Sequence, residues 1–131
     1  LPQAGLVAVH DGVRPLASRA LIRRSFEEAE RSGAALPACP VTDSLRLRQE
    51  EGKSEAVDRS RYVAVQTPQT FDLERLQRAY EQAYSPLFTD DASVYEAASL
   101  GSITLIDGEE TNIKLTTPRD LLLVELLLRE K

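Results

Sequence analysis

An aspartate and an arginine three residues apart, in His10-Asp11-Gly12-Val13-Arg14-Pro15, put a carboxylate and a guanidinium in one short loop. A carboxylate so placed can bind a metal ion or a hydroxyl, and a guanidinium can fork onto a phosphate. The same residues also read as a plain turn, because Asp-Gly favours tight bends and Pro15 leads toward a helix. Two hydroxyl-bearing stretches, Pro40-Val41-Thr42-Asp43-Ser44 and Gln66-Thr67-Pro68-Gln69, fit either ligand contacts or ordinary turn and cap chemistry. Thr89 marks a helix start, where main-chain N–H groups attract anions, although every helix needs such a cap. Lys114, in an otherwise apolar stretch, either snorkels outward or points into a site. His10 at a strand end reads as structural, and Cys39, without an activating neighbour, reads as core. No Cys/His cluster has zinc spacing, and neither a Ser-His-Asp nor a G-x-S-x-G pattern occurs. Cation, hydroxyl and carboxylate remain, which suit gripping phosphates and a polyol.

Those groups need elements to hold them. Leu6–Val9 is a short apolar run bounded by Gly5 and the His10 loop, as expected of a strand buried on both faces of a parallel sheet. Ser18 offers an N-cap to a helix with Ile22, Phe26 and Ala29 at helical spacing, and Gly33 ends it. Ala34–Cys39 reads as a second strand, giving the strand–helix–strand crossover from which α/β folds are built. Tyr62–Val65 reads as a third strand, Ile103–Ile106 as a fourth and Ile113–Leu115 as a fifth. Asp72 can cap a helix carrying Leu73, Leu76, Tyr80 and Ala83. Thr89 is expected to cap the next, with Asp90 and Asp91 in its first turn and Val94, Tyr95 and Ala98 inward. Thr117-Pro118-Arg119-Asp120 matches a capping box with proline at the first helical position. The leucines of the closing helix are too many for one face, which predicts deep packing or a subunit interface. In an open parallel sheet ligands bind beyond the carboxyl ends of the strands, where the candidate residues fall.

Residues 46–61 differ from the rest. Nine of these sixteen are charged, and Gly52-Lys53 supplies a turn. A solvated loop fits, and so does a protruding hairpin arm, with Leu45, Leu47 and Val57 alternating around the turn. An arm of that length calls for a partner subunit.

The 131 residues have the length of one domain, with 42% hydrophobic and 28% charged content typical of a globular chain. Sixteen basic against twenty-one acidic residues, net charge -5, argues against general nucleic-acid binding but leaves room for a local phosphate site. No apolar run approaches the roughly 20 residues of a membrane helix. A single cysteine fits a reducing compartment. The chain has no methionine and opens Leu-Pro-Gln, as the middle of a gene product would.

Five segments in order resemble one family. They are His10-Asp11-Gly12-Val13-Arg14-Pro15, Pro40-Val41-Thr42-Asp43-Ser44, Gln66-Thr67-Pro68-Gln69-Thr70-Phe71, Thr89-Asp90-Asp91-Ala92-Ser93 and Asn112-Ile113-Lys114-Leu115-Thr116-Thr117-Pro118-Arg119-Asp120-Leu121. Together they look like the 2-C-methyl-D-erythritol 4-phosphate cytidylyltransferases of non-mevalonate isoprenoid synthesis. The second segment ends in Ser44 where the family has threonine, and Thr111 stands where it often has an acidic residue. The resemblance implies an α/β fold: a Rossmann-like nucleotidyltransferase (GT-A-like) sheet with a protruding β-arm. It implies that residues 1–131 are the C-terminal part of one cytidylyltransferase domain. The arm, at about 41–61, would join a homodimer. The family's glycine-rich loop around the CTP phosphates, with its basic residue and following lysine, has no match here, so the first strands and most of the nucleotide pocket are expected to be missing.

The resemblance further implies transfer of CMP from CTP to a polyol phosphate. The acceptor's phosphate oxygen attacks the α-phosphorus in line and pyrophosphate leaves. Catalysis is then positioning and charge neutralisation, with Mg²⁺ or another divalent cation bridging the phosphates. Asp11 would face the metal and phosphates or the polyol hydroxyls. Arg14, Ser44, Thr67, Thr89 and Lys114 would hold the acceptor, with Asp11, Arg14 and Lys114 as the catalytic set. Arg59, near the end of the arm, would reach the acceptor phosphate across the dimer. A cytoplasmic enzyme with no nucleic-acid or membrane partner is expected. Two other readings stay open: a ribitol-5-phosphate cytidylyltransferase, and a noncatalytic dimerisation fragment. A dinucleotide-dependent dehydrogenase or epimerase would need a G-x-G-x-x-G fingerprint, which does not occur.

Overall fold

The computed structural model describes residues 4–130. In chain order its elements are β1 (Leu6–Val9), α1 (Arg19–Ser32), β2 (Ala34–Pro40), β3 (Arg46–Arg48), β4 (Ser54–Ala56), β5 (Val63–Val65), β6 (Gln69–Asp72), α2 (Leu73–Ala79), α3 (Asp91–Ala97), β7 (Thr104–Asp107) and α4 (Pro118–Arg129). Five strands form the central sheet, and β3 with β4 forms a separate antiparallel hairpin.

The sheet is mixed, which corrects the expectation of a parallel one. β6 pairs antiparallel with β1 (Val9 opposite Gln69) and with β2 (Ala35 opposite Thr70). β5 pairs antiparallel with the far half of β2, Ala38 opposite Val65. β5 and β6 are thus two halves of one strand, interrupted at residues 66–68. β7 lies parallel on the other side of β2, Leu36 opposite Leu105. A short apolar run carries no sign of direction, so Tyr62–Val65 is legible as a strand but not as an antiparallel one, and Gln69–Asp72, with one apolar residue in four, does not read as a strand. β1, β2 and β7 share one direction, and their carboxyl ends point to one edge.

Local chemistry sets the boundaries of the helices. Ser18 accepts the N–H of Leu21 at the start of α1, and Gly33 ends it at φ 96°, a conformation that a side chain would strain. Asp72 caps α2 by accepting the N–H of Arg75. At α3 the capping residue is Asp90, in a reciprocal box with Ser93, and Thr89 lies one residue outside. This corrects the assignment of the cap to Thr89: the Asp90 carboxylate accepts the Ser93 N–H, while the Thr89 N–H itself bonds to Ser93 Oγ. Thr117 and Asp120 form the expected box at α4, with proline in its first turn.

Side chains of α1, among them Leu21 and Ala29, are buried where the helix lies on the sheet. The pleat sends Ala34, Leu36 and Phe71 to a core with Leu76 of α2 and with Ala92 and Tyr95 of α3. The Phe71 and Tyr95 rings sit 5.2 Å apart, centroid to centroid. Burial of each large apolar side chain here contributes about 1.5–3 kcal/mol. Two further expectations change. Residues 113–115 form no strand; the segment is held instead by Leu115 N–H bonding to the Val13 carbonyl at 2.8 Å. In α4 only Val124 is buried among the described residues, and Leu121, Leu122, Leu123, Leu126 and Leu128 are exposed, so deep packing within the described fold is excluded. No helix among the described residues is long and apolar enough to cross a membrane.

Candidate functional site

Three chain segments converge at the carboxyl edge of β1 and β7: the loop after β1, the break between β5 and β6, and the irregular stretch after β7. The first carries His10, Asp11 and Arg14. Arg14 is the hub. Its Nε donates to Asp11 Oδ2 at 3.0 Å and its Nη1 to the Asn112 carbonyl at 2.8 Å. Lys114 Nζ lies 4.0 Å from the same Asp11 oxygen. Two cations therefore flank one carboxylate. The surplus positive charge suits an anion, and the half-exposed Lys114 is open to meet one.

The second segment supplies Thr67. Its hydroxyl accepts the Asp11 main-chain N–H at 3.0 Å and sits 2.9 Å from His10 Nδ1. His10 Nε2 lies 2.8 Å from the Arg14 carbonyl. A carbonyl can only accept, so Nε2 carries the proton, and in the neutral ring Nδ1 accepts from Thr67. This threads Asp11, Thr67, His10 and Arg14 into one hydrogen-bond circuit. His10, read from sequence as merely structural, ties the loop together.

The third segment is anchored by a residue pair to which sequence reasoning assigned no role. Gln66 Nε2 donates to the Glu109 carbonyl at 2.7 Å, while its Oε1 accepts from Glu109 N–H at 3.1 Å and from Asn112 Nδ2 at 3.2 Å. Asn112, fully buried, also donates to the Thr67 carbonyl at 2.8 Å. Glu109 in turn accepts from Ser18 N–H and hydroxyl, fastening the network to the start of α1. Their polarity within motif segments was the available signal, since a buried amide must find partners.

Asp11, Arg14, Thr67 and Lys114 are thus brought together. Thr89 is linked more remotely: Gln69 donates to Asp90 and accepts the Ala92 N–H, which pins the start of α3 to β6. Ser44 and Arg59 lie apart, sharing a groove at the foot of the β3–β4 hairpin with Leu45 and Val57, and an Arg59 N–H bonds to the Thr42 carbonyl. Nothing in the described protomer joins them to Asp11. Burial, with Glu110 and Asp107 adding to it, pushes the Cys39 thiol up, so it stays protonated at neutral pH and is a poor nucleophile.

Among the described residues no three His, Cys, Asp or Glu side chains gather where they could hold a metal ion. Asp11 stands as a single carboxylate, with both cations on Oδ2. One carboxylate is what Mg²⁺ commonly takes from a protein when phosphates supply its other ligands. These residues fit a cation arriving with a phosphate ligand, and do not fit a resident metal cage.

Comparison with known proteins agrees with this geometry. The family model described as IspD, 2-C-methyl-D-erythritol 4-phosphate cytidylyltransferase, matches residues 1–130. A relative of that name from Porphyromonas gingivalis is 56% identical over 128 residues, 98% of this chain and 57% of its own. One from Bacteroides fragilis is 48% identical over 124 residues, covering 95% of this chain and 56% of its own. The chain therefore spans little more than half the length of these relatives. The crystal structure of the Thermus thermophilus enzyme of the same name superposes with a TM-score of 0.82 at 40% identity, over 95% of this chain and 62% of that one. The 4-diphosphocytidyl-2C-methyl-D-erythritol synthase structure from Anaerococcus prevotii gives 0.84 at 28% identity, over 95% and 58%. By its motifs, its sheet and the reach of the family match, this chain belongs to the 2-C-methyl-D-erythritol 4-phosphate cytidylyltransferase family.

Proposed function

We propose that the full-length gene product transfers CMP from CTP to 2-C-methyl-D-erythritol 4-phosphate, releasing pyrophosphate, as a cytoplasmic step of isoprenoid synthesis. The observation that carries this reading is the placing of Arg14 and Lys114 against the same oxygen of the single Asp11 carboxylate, with the Thr67 hydroxyl on the Asp11 main-chain N–H. Arg14 and Lys114 hold the acceptor's phosphate, and Thr67 and Asp11 orient it. A phosphate is already anionic at neutral pH, so its oxygen needs no general base to attack the α-phosphorus. The protein's contribution is alignment in line and neutralisation of charge. Mg²⁺, when bound, adds neutralisation on the triphosphate, with Asp11 the carboxylate here able to hold it.

The same reading makes the β3–β4 hairpin a dimer arm. Its separation from the main sheet and the exposure of Leu47 support this. Arg59 and Ser44, at the arm's foot, would then meet the acceptor of the neighbouring subunit, and Thr89 would complete the polyol contacts.

Pyrophosphate release from CTP and Mg²⁺ by the full-length gene product, with methylerythritol phosphate and ribitol phosphate offered separately, tests the proposal. Strong preference for methylerythritol phosphate is expected. Preference for ribitol phosphate would reassign the acceptor, and inactivity with both would sink the catalytic reading.

A further inference from the structure

We infer that Asn112 is a positioning residue for this transfer, acting through Thr67 and Arg14 without touching substrate. The inference rests on the function proposed above. Asn112 is fully buried and, among the described residues, is the one side chain bonded to both the Gln66 amide and the Thr67 carbonyl. Its own main-chain carbonyl receives Arg14 Nη1. A single residue is thereby bonded both to the main chain that carries the Thr67 hydroxyl and to the Arg14 guanidinium. Lys114 follows two residues later, on a segment that forms no strand and has no ladder of its own to fix it.

The chemistry of the amides makes this arrangement directional. The Thr67 carbonyl can only accept, so the Asn112 atom facing it must be the nitrogen. The Glu109 carbonyl likewise dictates the nitrogen of Gln66, leaving Gln66 Oε1 to accept from Asn112. Both Nδ2 hydrogens of Asn112 are then committed. Its Oδ1 is buried without a partner, an unfavourable arrangement that a purely stabilising residue would not need. An isosteric aspartate has no N–H to offer and would turn its oxygens toward two acceptors.

Steady-state kinetics of the full-length gene product test the inference, using Asn112→Ala and Asn112→Asp alone and Asn112→Ala combined with Thr67→Ala, each assayed well below its own melting temperature. Small misplacements of positioning groups cost about tenfold to a hundredfold, so a loss of that order in kcat/KM for the acceptor is expected. The KM for CTP should stay within about twofold, because the anchored groups face the acceptor. Asn112→Asp should lose at least as much as Asn112→Ala. Because Asn112 acts through Thr67, its penalty should shrink severalfold in the Thr67→Ala background. An equal penalty in both backgrounds, an equal rise in both KM values, or unchanged kinetics with a lowered melting temperature would each overturn the inference while leaving the proposed function intact. A wild-type enzyme active on neither acceptor would overturn both. If Asn112→Ala does not fold, Gln66→Ala, which removes the amide behind Asn112, must show the same acceptor-selective loss.

Discussion

Thr67 and Asp11, separated by 56 residues, are joined where the Thr67 hydroxyl accepts the Asp11 main-chain N–H at 3.0 Å. The break between β5 and β6 is thereby fastened to the loop leaving β1, and the hydroxyl's direction is set by what it already holds.

Thr67→Val keeps the shape of the side chain and removes its acceptor. The Asp11 N–H, half-buried, is left unpaired, at a cost of about 1–3 kcal/mol. Turnover should fall by roughly tenfold or more from the displaced loop, and Thr67→Ser should restore most of it. Chemical denaturation and initial rates on the three proteins check both parts.

Arg14→Ala should weaken fold and activity together. The side chain is only 12% exposed and joins Asp11 to the Asn112 carbonyl, so its removal leaves two groups short of partners. A stability loss of about 1–3 kcal/mol is expected, alongside a turnover loss larger than that stability change alone would give. Arg14→Lys, which cannot span both partners, should recover little activity. Full recovery by lysine would mean that charge alone matters there.

Arg59→Ala, at the foot of the hairpin, should raise the acceptor's apparent KM more than that of CTP and leave the melting temperature nearly unchanged, since Arg59 is exposed and its side chain donates to the carbonyl of the likewise exposed Thr42. A defect confined to CTP would contradict the role proposed for it.

Gly108→Ala probes the packing beneath the site. A Cβ there would meet Gln66 Oε1 at 2.6 Å, Cys39 Sγ at 3.1 Å and main-chain carbon of Ala38 at 3.2 Å. Backbone cannot yield as a side-chain tip can, so a loss of about 1–3 kcal/mol is expected. Displacement of Gln66 should also lower activity, visible as a kinetic defect in protein that is still folded.

Asp120 offers a pH test. Hydrogen bonds from the Thr116 main chain first, then from the Thr116 hydroxyl and the Thr117 main chain, hold its carboxyl below the usual range. Because the folded value is the lower one, the stabilisation is complete above the unfolded carboxyl's pKa, about 3.9, and is lost as pH falls through the folded value. Asp120→Ala should therefore melt earlier than wild type at pH 7, and the gap should close as the solution is acidified. A gap that stays constant down to pH 2 would assign the effect to something other than the carboxylate.

Much of this arrangement was legible in the residues. Ser18, Gly33, Asp72 and the Thr117–Asp120 box announced their helix ends because capping is a local matter of one side chain and one or two N–H groups. The Asp11–Arg14 loop was recognisable for the same reason. Long-range properties were not. The direction of β5 and β6 depends on pairing with β2, which no short apolar run encodes. Residues 113–115 have strand-like composition but find no neighbouring strand, and the segment that carries Lys114 is held instead by the Leu115 N–H on the Val13 carbonyl. The joint work of Gln66 and Asn112 depends on a contact across 46 residues that spacing does not reveal. The leucines of α4 look like core by type, yet the described fold leaves most of them facing outward.

The order of strands in the sheet has a practical side. β1 is bonded to β6 along one flank, and among the described residues no strand lies along the other. Leu6, Val7, Ala8 and Val9 carry neither charge nor proline, the devices that ordinarily discourage one exposed strand from zipping onto another. The outer flanks of β5 and β7 are likewise without a strand among the described residues, so association of this polypeptide through its sheet edges should rise with concentration.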